Sequence, residues 1–150
     1  MDVTASLDAP CSPEQLFVLV DRLDDYPSWM PLAHRVEAAQ GEADGTPAWA
    51  VELRARVGPL ARSKRLRMVR TTHDPATGTV VFERRETDGR RHSPWVLRAV
   101  VTGVDGASRL DMHLHYGGAL WTGGLMERVL ADQITAGRSR LLERIAAAAP

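Results

Sequence analysis

A two-residue alternation of apolar and polar side chains runs through the middle of this chain and restricts the folds that it can adopt. In residues 49–57 every second position is apolar, and alanine, glutamate and arginine occupy the positions between. Residues 110–116 repeat the pattern with aspartate and histidine on the polar side. Such alternation is typical of strands with one buried face, because successive side chains point to opposite sides of a sheet.

Short turn signals separate the predicted strands. They are Gly58-Pro59, Asp74–Gly78, Asp88-Gly89 and Asp105-Gly106. An Asp-Gly pair between alternating segments is a strong hairpin signal. Strands joined by such short connections pair antiparallel, because parallel neighbours need a crossover of a dozen or more residues. The segment from Leu32 to Tyr116 therefore predicts an antiparallel meander.

A strand and a helix are predicted before the meander. Residues 2–9 alternate loosely, as in a half-buried strand, and Ser12–Gln15 reads Ser-Pro-Glu-Gln. That tetrapeptide supplies an N-cap, a proline at the first helical position and the return partner of a capping box. We expect this first helix to end by Tyr26, because Pro27 disfavours helix in the residue before it.

A long helix is predicted at the other end of the chain. Gly123-Gly124 precedes a segment running to about Ala148 whose apolar residues fall within one arc at 100° per residue. Such an amphipathic helix is expected to lie across a broad apolar surface. The order of a strand, one or two short helices, about six strands and a long helix predicts a two-layer α+β fold. The length favours a single domain over residues 1–150.

Composition excludes several classes of function. Nineteen basic residues balance nineteen acidic ones, so no face-wide basic excess is expected for nucleic acid. Cys11 is the only cysteine, which excludes an internal disulfide and a cysteine metal cluster. No apolar stretch reaches the ~18 residues of a membrane span, and no signal peptide is evident, so we expect a cytoplasmic protein. No phosphate loop, nucleotide fingerprint or zinc signature occurs, and no cofactor is expected.

Three further features share a pattern with a known superfamily. The segment Asp21–Pro31 reads Asp-Arg-Leu-Asp-Asp-Tyr-Pro-Ser-Trp-Met-Pro after the first helix. Asp88-Gly89 in mid-domain is followed by Trp95, and Leu114-x-Tyr116 closes the last strand before the long helix. With these features the chain resembles the START/Bet v 1-like (SRPBCC) superfamily, and within it the polyketide cyclase/dehydrase and coenzyme-Q-binding branch.

The resemblance covers residues 3–145 and implies a helix-grip fold. In that fold a curved antiparallel sheet of about six or seven strands wraps around the long C-terminal helix and leaves a cavity between them. Members of the superfamily bind lipids, quinones, hormones or polyketides, and some cyclise their ligand. Because one fold hosts many functions, the chemistry has to be argued from the residues of the site.

In a helix-grip fold the inward phase of the strands is both the core and the cavity wall. Together with the inner stripe of the last helix it predicts an apolar, methionine-containing lining that adapts to a greasy ligand. Gly137 belongs to it because its missing side chain lets a ligand or the sheet approach closely. The predicted ligand contacts are Trp49, Leu53, Met68, Phe82, Arg84, Trp95, Met112, Tyr116, Met126, Leu130, Gln133, Ile134 and Gly137.

Polar residues in the inward phase are the most informative, because burying them unpaired is costly. Arg84, Glu86 and Tyr116 are the candidate catalytic groups, and Ser93 and Gln133 share their phase. One interpretation makes them a convergent set that orients the oxygen atoms of a ligand. The other makes Arg84 and Glu86 an ion pair near the rim and gives the Tyr116 hydroxyl a backbone partner.

The histidines of the last strand invite a metal hypothesis, which the alternation opposes. Asp111, His113 and His115 share a face opposite to that of Leu110 and Met112, hence the outer side of the sheet. No third ligand is placed by the sequence, so we predict no metal site.

Two other segments allow two interpretations each. Trp29 and Met30, between two prolines, form either a lid over the cavity or a corner that packs the first helix against the sheet. The basic run Arg62–Arg70 forms either a solvated strand face, with Glu83 across from it, or a surface that steers an anionic ligand or carrier protein.

Three functions remain open at this point. The first is a binding protein for a hydrophobic small molecule such as a lipid, quinone or polyketide. The second is an aromatase/cyclase acting on a poly-β-keto chain, which needs a shaped cavity and one or two acid/base groups. The third is a protein-interaction module, which predicts a filled interior. The partners are accordingly a hydrophobic small molecule, an acyl-carrier protein or a larger assembly.

Overall fold

A computed structural model of the chain describes residues 1–57, 59–117 and 125–148. Within these ranges seven residues are described by their backbone alone; they are Val57, Leu125, Met126, Glu127, Val129, Leu130 and Gln133. The glycines predicted to stop the last strand and to precede the long helix, Gly118, Gly123 and Gly124, lie outside the described residues, as does Gly58 of the first predicted turn.

Seven strands and two α-helices account for most of the described chain. The strands are β1 Asp2–Ala9, β2 Ala33–Ala39, β3 Ala48–Val57, β4 Leu60–Asp74, β5 Thr79–Arg84, β6 Trp95–Val104 and β7 Ala107–Tyr116. Helix α1 covers Pro13–Phe17, a 3₁₀ helix covers Leu23–Ser28, and helix α2 covers Leu125–Ala148. The predicted order of elements and the predicted long helix are confirmed.

The strands form one antiparallel sheet in the order β1-β7-β6-β5-β4-β3-β2. Strands β2 to β7 are sequential neighbours, as expected of a meander. The first strand pairs with the last, Val3 opposite Leu114 and Leu7 opposite Leu110. The terminal amino group of Met1 and the backbone of Tyr116 extend this pairing by hydrogen bonds of 2.7 and 2.9 Å.

Helix α1 begins as the sequence predicts but ends earlier. The Ser12 hydroxyl accepts from the Gln15 N–H at 3.2 Å, and the Gln15 side chain accepts from the Ser12 N–H at 2.9 Å, which completes the capping box. The helix ends at Phe17, well before the predicted limit of Tyr26, and the separate 3₁₀ helix includes Pro27.

Side chains explain why the helix does not continue, since they occupy three consecutive backbone carbonyls beyond its end. The Leu19 carbonyl accepts from the Trp29 indole at 3.1 Å, and the Val20 carbonyl accepts from the Tyr26 hydroxyl at 2.8 Å. The Asp21 carbonyl accepts from Arg70 at 2.9 Å. These bonds replace the backbone donors that a longer helix would supply. Trp29 is therefore part of a packing corner, as one of the two interpretations predicted.

Helix α2 presents one apolar stripe to this corner and the sheet. Gly137, Leu141 and Ile145 are buried, and Ile134 is half-buried. A Cβ atom on Gly137 would lie 3.0 Å from the Trp29 carbonyl oxygen and 3.6 Å from the Met30 Cα. A close approach at Gly137 therefore exists, but the segment that approaches is the backbone of the corner and not the predicted sheet or ligand.

The outer face of β7 carries the acidic and histidine side chains, as the alternation predicted. His113 Nε2 and His115 Nδ1 lie 2.8 and 3.0 Å from one carboxylate oxygen of Asp2 on β1. Hydrogen bonds from His115, and then from His113, lower the pKa of Asp2 from its ordinary 3.8. Because the folded pKa is depressed, this stabilisation exists above that ordinary value and is lost as the pH falls through the lowered one.

We expect the double change His113→Ala with His115→Ala to alter the free energy of unfolding by no more than about 0.5 kcal/mol, because exposed ion pairs contribute little. Denaturant unfolding measures this, and the carboxyl NMR signal of Asp2 should show its pKa rising. Leu110→Ala on the inner face of the same strand is the control, with an expected loss of about 2–5 kcal/mol. A comparable loss in the double variant would contradict the outward placement.

Candidate functional site

An apolar cavity of about 70 Å³ lies between the inner face of the sheet, the 26–33 corner and helix α2. We call it the apolar cavity. The described residues of its wall are Val3, Leu23, Tyr26, Met30, Leu32, Ala33, Val36, Val51, Leu53, Leu66, Met68, Trp95, Leu97, Met112, Leu114 and Ile134. Two larger grooves, of about 380 and 570 Å³, are lined by charged or mixed residues. The apolar cavity is thus the concave, apolar kind of space that small-molecule sites use.

Five predicted ligand contacts lie on this wall. They are Leu53, Met68, Trp95, Met112 and Ile134, from β3, β4, β6, β7 and α2. The strand register places the side chains of the strand residues on one face of the sheet. In β6 and β7, for example, Trp95 pairs with Tyr116, and Leu97, two residues further along β6, pairs with Leu114. The inward phase was therefore predicted correctly for these strands, and the role of the five residues in ligand binding stays a prediction.

Other predicted contacts lie elsewhere in the core. Phe82 is fully buried between Trp49 and Tyr26, with ring centroids at 5.6 and 6.1 Å. Gly137 faces the corner, as described above. None of Trp49, Phe82 and Gly137 belongs to the described wall. The side chains of Met126, Leu130 and Gln133 lie outside the described residues.

Tyr116 is engaged by the N-terminus. Its hydroxyl donates to the Met1 sulfur, and its ring stacks on Trp95 with centroids 5.0 Å apart. This described partner of the hydroxyl is a side chain, whereas one interpretation predicted a backbone partner. Tyr116 lies behind Trp95 and is not a described wall residue.

Arg84 and Glu86 form the ion pair that one interpretation predicted. Arg84 Nε donates to Glu86 at 2.9 Å, and only 9% of the Arg84 side chain is exposed. Nη1 of Arg84 also lies 3.3 Å from both the carbonyl and the hydroxyl of Ser93. Glu86 accepts the Arg67 backbone N–H at 3.1 Å as well. These groups satisfy one another, and neither Arg84 nor Glu86 is on the described wall.

The cluster around Arg84 continues to the surface. Nη2 of Arg84 lies 3.3 Å from His92 Nδ1, and His92 Nε2 lies 2.8 Å from Asp88. Lys64 is close enough to be affected: burial first, and then the charge of Arg84, lower its pKa. A ten-residue loop, 85–94, joins β5 to β6 where the sequence predicted a hairpin at Asp88-Gly89, and this loop carries a polar network that borders the ion pair.

Arg70 differs from the other members of the basic run. It pairs with Phe82 on the inner face, its guanidinium lies 5.9 Å from the centre of the Trp49 ring, and its Nε is buried without a partner. Burial lowers its pKa. The interpretation of the whole run as a solvated face is therefore wrong for Arg70. A register shift follows it in β4, so the inward phase changes before His73, which pairs with Val80.

The Trp95 indole N–H is the one buried polar group without a hydrogen-bond partner among the described wall residues. Trp95 is 4% exposed. Sequence reasoning treated Trp95 as an apolar contact, but its indole nitrogen is a donor. The other polar atom of the described wall is the Tyr26 hydroxyl, which donates to the Val20 carbonyl. Burial raises the pKa of Tyr26, so it remains protonated.

Sequence reasoning missed the part of the wall that comes from the first third of the chain. Tyr26 and Met30 come from the corner, Leu32 and Ala33 follow it, and Val36 lies on β2. The available signal was the Tyr-Pro-Ser-Trp-Met-Pro segment, which places apolar side chains between two prolines. Met30 lies on the wall while its neighbour Trp29 lies in the corner, so the corner interpretation is confirmed and the lid stays a prediction.

No cluster of three or more metal-ligating side chains occurs within residues 1–57, 59–117 and 125–148. In the same part of the chain, no helix has the length and apolar character needed to cross a membrane.

Comparison with known proteins assigns the chain to a sequence family. The sequence model of the family described as "Polyketide cyclase / dehydrase and lipid transport" matches residues 1–150. No protein with a curated description matches the chain in sequence.

Solved structures show the same fold. A START superfamily protein from Mycobacterium smegmatis is 14% identical, with a TM-score of 0.75 and 99% of each chain covered. A protein from Thermus thermophilus is 17% identical, with a TM-score of 0.77 over the whole of both chains. The Zhui aromatase/cyclase from a Streptomyces species is 16% identical, with a TM-score of 0.62 over 97% of this chain and 93% of that one. At these identities the likeness concerns the fold alone, and it confirms the predicted helix-grip architecture.

Proposed function

The chain belongs to the polyketide cyclase/dehydrase and lipid transport family, and from that premise we propose that it binds a hydrophobic small molecule bearing a hydrogen-bond acceptor in the apolar cavity. The described wall gives the ligand apolar contacts on all sides. Burial of the ligand's hydrocarbon surface supplies the affinity, at roughly 25 cal/mol per Å². The hydrogen-bond acceptor decides which hydrophobic molecules bind well.

The observation that carries the proposal is the buried, unpartnered indole N–H of Trp95, a residue of the otherwise apolar wall. The nitrogen itself is covered in this structure, so the wall has to widen before a ligand oxygen can reach it. A buried donor without a partner costs about 1–3 kcal/mol. A ligand carbonyl or ether oxygen that accepts this hydrogen bond removes the cost. Apolar contacts plus one polar contact therefore favour a ketone, quinone or ester over a pure hydrocarbon.

The size of the cavity bears on the ligand. Its volume of about 70 Å³ is small beside the roughly 300–1,000 Å³ of typical ligand sites. Met30, Met68 and Met112 lie on the wall, and their unbranched side chains change rotamer readily and let the cavity widen. Val3 and Leu114 form a half-buried row at its edge, where we place the entrance.

Binding is favoured over the cyclase alternative by the chemistry of the wall. Its described residues include no carboxylate, imidazole or amine, and the Tyr26 hydroxyl is engaged with the Val20 carbonyl. The candidate catalytic groups Arg84 and Glu86 are paired with each other, and Tyr116 contacts Met1. The interaction-module alternative predicts a filled interior, which the cavity does not support.

Acetophenone and ethylbenzene form a matched pair of probes, because they share a ring and a two-carbon substituent and differ in the carbonyl. We expect wild-type protein to bind acetophenone more tightly and its Trp95 indole N–H resonance to shift on binding. Trp95→Phe keeps an aromatic ring and removes the donor. We expect it to weaken acetophenone binding by about 3- to 10-fold, the value of one hydrogen bond, and to change ethylbenzene binding less than about twofold.

NMR titration measures both affinities, and thermal unfolding verifies that the variant is folded. Equal effects of Trp95→Phe on the two probes would remove Trp95 from the proposal while leaving an apolar site. A wild-type protein that binds neither probe would contradict the proposed function itself.

A further inference from the structure

The β3–β4 hairpin projects beyond both neighbouring strands. On one side, β2 pairs with β3 only as far as Leu53. On the other, β5 pairs with β4 only from Met68 onwards. Residues 54–57 and 59–65 therefore extend as a two-stranded ribbon, with Arg54 opposite Ser63 and Arg56 opposite Ala61. We call this segment the basic ribbon.

The ribbon carries charge of one sign. Residues 53–66 contain Arg54, Arg56, Arg62, Lys64 and Arg65 and no acidic residue. The four arginines are exposed and Lys64 is half-buried. None of the five enters an ion pair with the described residues. In a chain of zero formal charge, this is a local excess. It is concentrated at Arg54, Arg56 and Arg62, because Glu52 lies opposite Arg65 and the charge of Glu86 acts on Lys64.

An apolar side chain stands at the end of the ribbon. Leu60 is 59% exposed, the largest such fraction among the exposed large hydrophobic residues of the described chain, and Pro59 beside it is exposed too. Exposing the apolar side chain of a leucine to water is unfavourable. A strand end that only had to stay solvated between arginines would not require it. Cations flanking an apolar tip are the arrangement that seats a segment at the boundary between lipid headgroups and acyl chains.

We propose that the basic ribbon docks the protein on an anionic lipid bilayer, with Leu60 entering the interface and the flanking cations contacting headgroup phosphates and carboxylates. A lipid surface fits better than an acidic protein because it offers an apolar layer for Leu60 directly beneath its charged layer. The ribbon also adjoins the apolar cavity, since Lys64 pairs with Leu53 of the cavity wall. This docking is independent of any ligand in the cavity.

Co-sedimentation with vesicles tests the surface directly. We expect the wild-type protein to bind phosphatidylcholine vesicles containing about 30 mol% phosphatidylserine at least about tenfold more tightly than phosphatidylcholine alone, and to lose the difference in high salt. Arg56→Glu with Arg62→Glu should abolish the difference. Leu60→Ala should weaken binding by about threefold and leave its salt dependence unchanged.

Arg128→Glu with Arg140→Glu is the matched control, because both residues are exposed on α2 and the change in net charge is the same. It should bind as the wild type does within about twofold. Circular dichroism melting verifies that every variant is folded. Equal loss in the control would show a net-charge effect and overturn the proposal. So would a wild type without preference for phosphatidylserine, in which case an acidic carrier protein becomes the partner that the ribbon's charge fits.

Discussion

Gly78→Ala is expected to destabilise the protein by about 2–5 kcal/mol. Gly78 adopts φ +67°, a conformation that costs other residues roughly 1–2 kcal/mol. A Cβ atom there would also collide with the backbone carbonyl oxygen of Val101 on β6. The collision cannot be relieved by a side-chain rotation, because the Val101 N–H donates to the Gly78 carbonyl at 2.8 Å and holds the turn against the strand. Overpacking adds about 1–3 kcal/mol to the conformational cost.

Gly89→Ala separates the two contributions. Gly89 has a similar φ of +73°, and a Cβ atom there would have no neighbour within 4 Å. Its substitution should cost only the conformational part, about 1–2 kcal/mol. Urea unfolding of both variants measures the two losses of unfolding free energy. The comparison holds when that free energy has the same slope against urea concentration in both variants. If the two variants lose the same free energy, the close packing of the β4–β5 turn against β6 is wrong.

Ala33→Phe is expected to abolish most ligand binding while the fold survives. Ala33 is buried on the wall of the apolar cavity, opposite Leu53. An added ring occupies much of a 70 Å³ space, so the ligand and the ring compete for it. If both were accommodated, overpacking would cost about 1–3 kcal/mol, which corresponds to roughly 5- to 150-fold in affinity. Titration with acetophenone measures the loss.

Ala50→Phe is the control for this change, since Ala50 lies on the exposed outer face of the adjacent strand β3. It adds the same ring on the opposite side of the sheet and should leave affinity within about twofold. An Ala33→Phe variant that melts cooperatively and binds as the wild type does would show that the ligand site is elsewhere. This comparison is independent of Trp95, so it separates the location of the site from its polar contact.

The unpartnered polar group among the described wall residues belongs to Trp95 and not to a charged residue. The sequence suggested that charged residues such as Arg84 would meet the ligand's oxygen atoms. In the structure Arg84 is held by Glu86 and Ser93, while the unpartnered donor belongs to an aromatic residue. The proposed function uses a donor on a rigid indole, in an apolar wall, to discriminate between ligands without the desolvation cost that a buried guanidinium carries.

The sequence by itself determined the elements and their faces. Alternation in residues 49–57 and 110–116 decides which side chains of β3 and β7 point inward, because a pleated strand has a period of two. The Ser12–Gln15 capping box decides where α1 begins, because its two hydrogen bonds are local. These features depend on neighbours within a few residues, so they can be predicted from one chain without its fold.

Only the tertiary structure decided features that join distant residues. The first helix does not extend past Asp21, because Trp29, Tyr26 and Arg70 occupy the carbonyls of Leu19, Val20 and Asp21. Arg70 lies on a strand 49 positions away from Asp21. The register shift after Arg70 changes the inward phase of β4 before His73, which pairs with Val80. Whether Arg84 is paired and the Trp95 N–H is unpaired likewise depends on which strands become neighbours. Hydrophobic periodicity and secondary-structure propensity carry no information about such partners. The partners are set by packing between segments that lie far apart in the sequence.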